Sequence, residues 1–339
     1  MDNIPTPVPE RDPDERGSMA QGIVFYPPKY EKNETGSNIW IRSILSLALY
    51  LVLGYYIFRS FEMLLLITAI VIFHELGHFF AMKFFRYKDL GIFFIPLLGA
   101  YVSGSKREVS QRESAIILLA GPIPGIVLGA LFYILYKNNP DLSFLGISFY
   151  SISVSLIVLN LINLLPVYPL DGGQLLNRVF LDEESWVSKV FVFLSAGFLC
   201  WVALFAFQRP VYPLLIFPAL MIMRMFSDSR LNSIEKKMEA EGIELDRSYE
   251  DLPDADYWRI RDFLADEHPA FKDIVSGPPY TYSSKEDKVM TTIESLLHRH
   301  LIQDMSWLGK IFILLVWIAA LMSPWLMDIN HPLLQRLGF

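Results

Sequence analysis

Residues His74, Glu75 and His78 form the pattern His-Glu-x-x-His, with apolar residues on both sides. Helical positions i and i+4 lie on one face, so both imidazoles can bind one cation. Glu75 is adjacent to His74 and can reach a water molecule on that cation. Two histidine ligands with a neighbouring carboxylate base are the arrangement found in zinc peptidases. The pattern therefore predicts one catalytic Zn²⁺ ion, with Glu75 as the base.

The surroundings of this pattern predict a membrane span. The apolar run from Met63 to Phe85 is long enough to cross a bilayer, which takes about 20 residues in a helix. Ionisable groups in the middle of a span are costly and usually functional. Two core histidines beside an unrelated glutamate are the alternative, which we disfavour because a buried carboxylate without a role is costly.

A third metal ligand is predicted much later in the chain. The apolar stretch 142–165 is followed by Pro166 and Pro169, which break a helix, and then by Asp171-Gly172-Gly173. Asp171 thus lies on irregular backbone at the membrane edge. A turn or capping aspartate is the common alternative beside glycine. Because the histidine pair lacks one protein ligand, we predict that His74, His78 and Asp171 bind the metal together.

Composition predicts an all-α polytopic membrane protein. Of 339 residues, 53% are apolar, and mean hydropathy is +0.35. The net charge of −7 is concentrated in residues 227–306, which hold 18 acidic and 10 basic residues. No basic footprint for nucleic acid is present. The single cysteine excludes intramolecular disulfides and cysteine-based zinc sites.

We expect four regions along the chain. Residues 1–38 read as a disordered cytoplasmic tail, 39–226 as a six-span domain, 227–306 as a partly helical acidic cytoplasmic segment, and 307–339 as a seventh span with a short tail. The positive-inside rule places the tail, the 86–112 connection, the Asp171 loop and the acidic segment in the cytoplasm. The acidic segment would connect two spans, regulate access or bind a regulatory partner.

Residues Gly91–Gly104 predict a β-hairpin or re-entrant loop between the second and third spans. The piece is apolar and β-branched, is broken by glycine and proline, and is too short to span as a helix. A substrate strand could pair with its exposed edge, with Gly99 and Tyr101 as candidate contacts. A plain surface loop is the alternative.

Four motifs together resemble the site-2 proteases, intramembrane zinc metalloproteases of the M50 type. They are Phe-His-Glu-Leu-Gly-His, Pro-Leu-Leu-Gly-Ala-Tyr-Val, Ala-Gly-Pro, and Asn-Leu-Leu-Pro-Val-Tyr-Pro-Leu-Asp-Gly-Gly, all within residues 39–226. The resemblance implies zinc on His74, His78 and Asp171, with Glu75 as catalytic base. It also implies that Asn163 holds the substrate or the developing oxyanion. Substrates would be single-span membrane proteins, cut in regulated proteolysis at a bacterial plasma membrane, on its cytoplasmic side.

The sequence departs from this family in two places. Many bacterial relatives carry a PDZ domain between the third and fourth spans, and here that connection is short. Gly125 stands where many relatives have asparagine after Ala-Gly-Pro, which puts a polar role at this position in doubt. Another membrane zinc protease, such as a prenyl-protein peptidase, would be expected to supply Glu or His as the third ligand. A catalytically silent metal-binding scaffold would not need Glu75.

Overall fold

The computed structural model describes nine stretches of the chain, and all structural statements refer to them: residues 26–31, 39–58, 60–95, 99–106, 109–181, 185–206, 209–245, 247–297 and 301–329. The helices are Ile39–Phe58 (α1), Phe61–Phe84 (α2), Gln111–Ala120 (α3), Pro122–Asn138 (α4), Phe149–Asn163 (α5), Asp171–Leu175 (α6), Trp186–Trp201 (α7), Ile216–Ala240 (α8), Asp254–Glu267 (α9), Glu286–Leu297 (α10), Trp307–Leu321 (α11) and Ser323–Leu326 (α12). The strands are Lys88–Ile95 (β1), Gly99–Ser105 (β2), Ser143–Phe144 (β3) and Ile147–Ser148 (β4). The predicted helical fold is confirmed.

Three helical stretches are long and apolar enough to cross a membrane: α2, the α3–α4 pair (Gln111–Asn138) and Trp186–Ala206. Helices α1, α5 and α11 are apolar but shorter. Large apolar side chains face outward on the bundle, as at Leu45 of α1 and Leu308 of α11, which are 69% and 79% exposed. Such surfaces need a lipid environment. The protein is therefore a polytopic membrane protein, and a count of six spans plus one stays a prediction.

Helix α2 contacts α1, α3, α4, α5 and the hairpin, and it carries the His-Glu-x-x-His pattern. It begins at the N-cap Ser60, whose hydroxyl accepts a hydrogen bond from the Met63 amide. The α3–α4 pair and α5 pack beside it, and the Ser153 hydroxyl of α5 donates to the Gly129 carbonyl of α4 at 2.7 Å. The buried core of this region includes Ile157 and Leu161 of α5. The packing brings residues far apart in sequence against the histidine face of α2.

The chain turns back on itself between α5 and α6. A Cβ at Gly172 would lie 2.0 Å from the Leu164 carbonyl oxygen, so only glycine permits this approach. The same carbonyl accepts a hydrogen bond from the Trp317 indole of α11 at 2.9 Å. The break predicted from Pro166 and Pro169 is thus a compact loop that delivers Asp171 at the start of α6.

Strands β1 and β2 form the predicted hairpin. They pair antiparallel, with Ile95 opposite Gly99 and Phe93 opposite Tyr101. The Phe94 amide donates to the Ser46 hydroxyl of α1 at 3.1 Å, which fixes the hairpin on the bundle. Among the described residues β2 pairs on one side only, so its other edge is unpaired. The hairpin prediction is confirmed.

The acidic segment is more organised than the sequence indicated. Helix α8 runs without a break from apolar residues into the charged region, and its second half packs against α9 and shares a core cluster with α10. Residues 231–297, here the acidic domain, have their own core around the fully buried Tyr257 and Trp258. Residues 26–31 pack on this domain, although we expected them to belong to a disordered tail. The rest of that tail lies outside the described residues.

Candidate metal centre

Two distant parts of the chain bring three ligand atoms together. Helix α2 presents His74 and His78 on one face, and the start of α6 presents Asp171. Asp171 Oδ2 lies 3.1 Å from His74 Nε2 and 3.3 Å from His78 Nε2, and the two Nε2 atoms are 3.1 Å apart. Both imidazoles are buried. Within the described part of the chain, this is the group of histidine, cysteine and acidic side chains that can share a metal ion.

The size of this triangle fits zinc. Zinc bonds to histidine nitrogen and carboxylate oxygen are about 2.0–2.1 Å long, so ligand atoms at tetrahedral corners are separated by about 3.3–3.4 Å. The three observed separations, 3.1, 3.1 and 3.3 Å, are close to that edge length. Three protein ligands leave a fourth corner open, as in catalytic rather than structural zinc sites.

Hydrogen bonds on the far side of each ring set the histidine tautomers. His74 Nδ1 lies 2.8 Å from Asn160 Oδ1, and His78 Nδ1 lies 2.8 Å from the Ile117 carbonyl oxygen. Both oxygens are acceptors, so each Nδ1 carries the hydrogen and each Nε2 presents a lone pair to the triangle. Partners of this kind orient metal-binding histidines in proteins.

Asp171 Oδ2 supplies an independent test of the site. The atom is buried, and no protein group in the described residues donates a hydrogen bond to it. With both Nδ1 atoms protonated, neither facing Nε2 can donate to it. A buried carboxylate oxygen facing two nitrogen lone pairs is costly unless a cation lies among them. The donor set and the lone-pair arrangement therefore fit a bound zinc ion.

The sequence analysis missed Asn160, the residue that orients His74. Its side chain is buried, and Nδ2 donates to the Leu156 carbonyl at 2.7 Å, which turns Oδ1 toward the ring. A Cβ at Gly125 would lie 2.2 Å from Asn160 Nδ2. Gly125, three residues after the Ala-Gly-Pro motif, therefore leaves the space that the Asn160 amide fills. A polar residue within the apolar run of α5 was the available signal.

The remaining predicted site residues line one cavity of about 1340 Å³ with the metal triangle. Glu75 is buried and lines it beside the histidines. Asn163 lines it too, and its Nδ2 donates to the Leu159 carbonyl at 3.2 Å. Gly99 and Tyr101 reach it from β2, with Tyr101 48% exposed. The structure thus brings every predicted residue to the same cavity.

Charged side chains of both domains also line the cavity. The membrane domain supplies Arg86, Lys106 and Arg178, and the acidic domain supplies Glu250 and Glu294. Lys106 Nζ contacts Glu113 Oε1 at 2.5 Å. Burial raises the pKa of the neighbouring Tyr87 phenol, with Glu113 adding to the effect, so Tyr87 stays neutral.

Comparison with known proteins agrees with the site. Residues 62–141, which include His74, Glu75 and His78, match Peptidase family M50. The chain is 31% identical over 119 residues to Stage IV sporulation protein FB of Bacillus subtilis, covering 34% of this chain and 40% of that protein. It is 25% identical over 142 residues to Zinc metalloprotease MJ0392 of Methanocaldococcus jannaschii, covering 42% and 40%. The chain thus spans about two-fifths of each relative's length.

A solved structure is also similar. The Site-2 Protease from Methanocaldococcus jannaschii matches 56% of this chain and 88% of its own, at 22% identity and a TM-score of 0.39. The resemblance indicated by the sequence motifs is confirmed: this chain resembles the site-2 proteases, and its residues 62–141 match peptidase family M50.

Proposed function

We propose that this protein is an intramembrane zinc metalloprotease that hydrolyses peptide bonds of single-span membrane proteins. The convergence of His74, His78 and Asp171 on one buried triangle is the observation that carries the proposal. Ionisable ligands inside an apolar bundle are costly and mark a functional site, and a protease that acts on membrane spans requires them there. The relatives' names, which include a zinc metalloprotease, support this reading.

The proposed chemistry is hydrolysis with Glu75 as general base. Zinc, when bound by the three ligands, supplies a Lewis acid that makes water nucleophilic near neutral pH. Glu75 takes a proton from the attacking water as its oxygen bonds to the carbonyl carbon. The carboxyl of Glu75 then gives that proton to the departing nitrogen as the C–N bond breaks. Asn163 Nδ2 uses one hydrogen on Leu159, and its second hydrogen would stabilise the developing oxyanion.

The substrate would enter as an extended segment. A helical carbonyl is hydrogen-bonded and screened, so the substrate helix must unwind before attack. The unpaired edge of β2 lines the cavity and offers backbone groups to such a segment, near Gly99 and Tyr101. The cavity mouth lies beside the acidic domain, and we place this side in the cytoplasm of a bacterial cell, at the plasma membrane. Regulated proteolysis of a membrane-bound regulator is the expected physiological setting.

The test is zinc content and cleavage measured on the same purified samples. Wild-type protein in detergent should contain one zinc per chain and cleave a model single-span substrate. Glu75→Gln should keep the zinc and lose cleavage by about 10²–10⁴-fold, the usual contribution of a positioned general base. Retained cleavage in this variant would refute the base assignment.

The same measurements of zinc content and cleavage distinguish two alternative functions. A prenyl-protein peptidase would be expected to use Glu or His as the third ligand, and here Asp171 lies within 3.3 Å of both histidines. It would also cleave a prenylated peptide in preference to a membrane span. A silent scaffold would bind zinc and cleave neither substrate.

A further inference from the structure

Residues 26–31 bind the acidic domain through their backbone carbonyls. The Trp258 indole donates to the Pro27 carbonyl at 2.7 Å, and the Tyr282 hydroxyl donates to the Pro28 carbonyl at 2.5 Å. Prolines have no N–H and a fixed φ, so an extended Pro-Pro pair presents its carbonyls at low entropic cost. Proline-recognition domains bind proline-rich segments in grooves lined by aromatic side chains, as these indole and phenol groups bind the proline carbonyls here.

Aromatic rings on both sides complete this surface. Tyr26 stacks on Tyr280 with ring centres 5.3 Å apart, and Tyr30 meets Tyr282 edge-on at 5.7 Å. Trp258 lies against both of these domain tyrosines, at 4.9 and 5.6 Å. The sequence Tyr-Pro-Pro-Lys-Tyr therefore lies on an aromatic platform made of Trp258, Tyr280 and Tyr282.

The platform is held by a buried ion pair rather than by the segment that lies on it. Arg261 Nε contacts Glu286 Oε1 at 2.9 Å, and both side chains are fully buried. The same guanidinium donates to the carbonyls of Val275 and Thr281, at 3.1 Å each, and so fixes the stretch that carries Tyr280. Glu286 Oε2 accepts from the Ser283 amide at 2.9 Å. A surface held in this way would persist when residues 26–31 leave it.

Lys29 links this surface to the cavity. Its Nζ donates to the carbonyls of Tyr249, Glu250 and Leu252 at 2.8, 2.6 and 3.0 Å, which uses all three ammonium hydrogens. Its amide donates to Asp254 Oδ1 at 2.8 Å. Residues 249–252, here the mouth loop, include two residues that line the metal cavity. The docked segment therefore fixes the mouth loop at the entrance.

We propose that the acidic domain is a recognition module for a Pro-Pro-Lys segment, and that residues 26–31 are its exchangeable internal ligand. While this ligand is docked, the mouth loop restricts access to the metal cavity. Release of the internal ligand frees the entrance, and a proline-proline-lysine segment of another protein, flanked by aromatic residues, would compete for the same site and fix the mouth loop in its place. The effect on substrate access rests on the proposed function, whereas the recognition site does not.

Peptide binding tests the recognition site directly. The probe is a fluorescent peptide with the sequence of residues 24–33, added to full-length protein. The variant Pro27→Gly/Pro28→Gly/Lys29→Ser should bind it at least about tenfold tighter than wild type, because the tethered segment competes at a high effective concentration. A peptide with methionine at the position of Lys29 should bind that variant at least about tenfold more weakly, because it lacks the charged donor. If the fluorescent peptide binds neither wild type nor the triple variant, the proposed recognition site is refuted.

Zinc loss to a chelator tests the effect on the cavity. Removal should be about tenfold faster in the triple variant than in wild type, because the entrance is open for a larger fraction of time. Added peptide should restore the slower rate. The matched control Pro7→Gly/Pro9→Gly/Arg11→Ser replaces two prolines and a basic residue earlier in the sequence and should behave as wild type. The single substitution Lys29→Met should also speed zinc removal. It serves as a second test in case the triple variant does not fold.

The outcomes separate the two proposals. Peptide binding with unchanged chelator rates would refute control of the entrance. Wild-type protein without zinc would refute the proposed function, while the peptide experiment would still decide the recognition site.

Discussion

The metal centre and the acidic domain are both built around buried polar groups, but they differ in whether the protein itself satisfies those groups. In the metal centre the donors are four residues apart on one helix, and Asp171 follows a helix-breaking motif. In the acidic domain the buried pair is Arg261 and Glu286, which satisfies itself with a phenol and backbone groups. The first cluster leaves a buried oxygen without a donor, and the second leaves none of its charge unpaired. An unsatisfied cluster points to a ligand, and a satisfied one points to structure.

The largest expected effect concerns the satisfied cluster. Arg261→Met leaves the Glu286 carboxylate buried without its charge partner, so we expect the free energy of unfolding of the acidic domain to fall by about 3–5 kcal/mol. Hydrogen exchange of α9 and α10 in the full-length protein measures this local stability. Zinc affinity should not change, because the pair has no contact with the metal centre.

Arg259→Met is the matched control for that change. Arg259 lies on the same helix, is 41% exposed and faces Asp256 at 3.5 Å. An exposed pair of this kind contributes at most about 1 kcal/mol. Equal destabilisation by both substitutions would contradict a structural role for the buried pair.

A smaller effect is expected at the metal centre from its hydrogen-bonded neighbour. Asn160→Ala removes the acceptor for His74 Nδ1–H and frees the ring to rotate. Loss of such a partner lowers metal affinity about 10–100-fold. Zinc competition with a calibrated chelator measures it, and the stability of the acidic domain should be unchanged.

The neighbouring asparagine provides the comparison. Asn163→Ala should keep zinc affinity and lower cleavage, because its amide lines the cavity without contacting a histidine ring.

Gly125→Ala should lower zinc affinity as Asn160→Ala does, because the new methyl group would displace the Asn160 amide. If Asn160→Ala leaves the zinc affinity unchanged, Asn160 does not position the His74 ring for metal binding.

The sequence predicted the features that depend on local spacing. The histidine pair, the helix break before Asp171 and the hairpin at Gly91–Gly104 each follow from a periodicity or from proline and glycine positions. Asn160 was missed because its partner is 86 residues away in sequence. Only the three-dimensional packing of α5 against α2 gives it a role.

Residues 26–31 were missed for a related reason. A stretch rich in proline and charge has too little apolar surface to fold alone, so its composition indicates disorder. The structure supplies the missing surface from the acidic domain, more than 200 residues away. Tyr26 and Tyr30, flanking two prolines, were the only local sign of a recognition motif.

The central claim is that His74, His78 and Asp171 hold one metal ion. Zinc K-edge X-ray absorption on purified protein, with metal content measured on the same sample, tests it most directly. We predict one zinc per chain with nitrogen and oxygen donors at about 2.0–2.2 Å, and a changed spectrum with weaker binding in Asp171→Asn. Protein purified without stoichiometric zinc, or a spectrum unchanged by Asp171→Asn, would contradict the account.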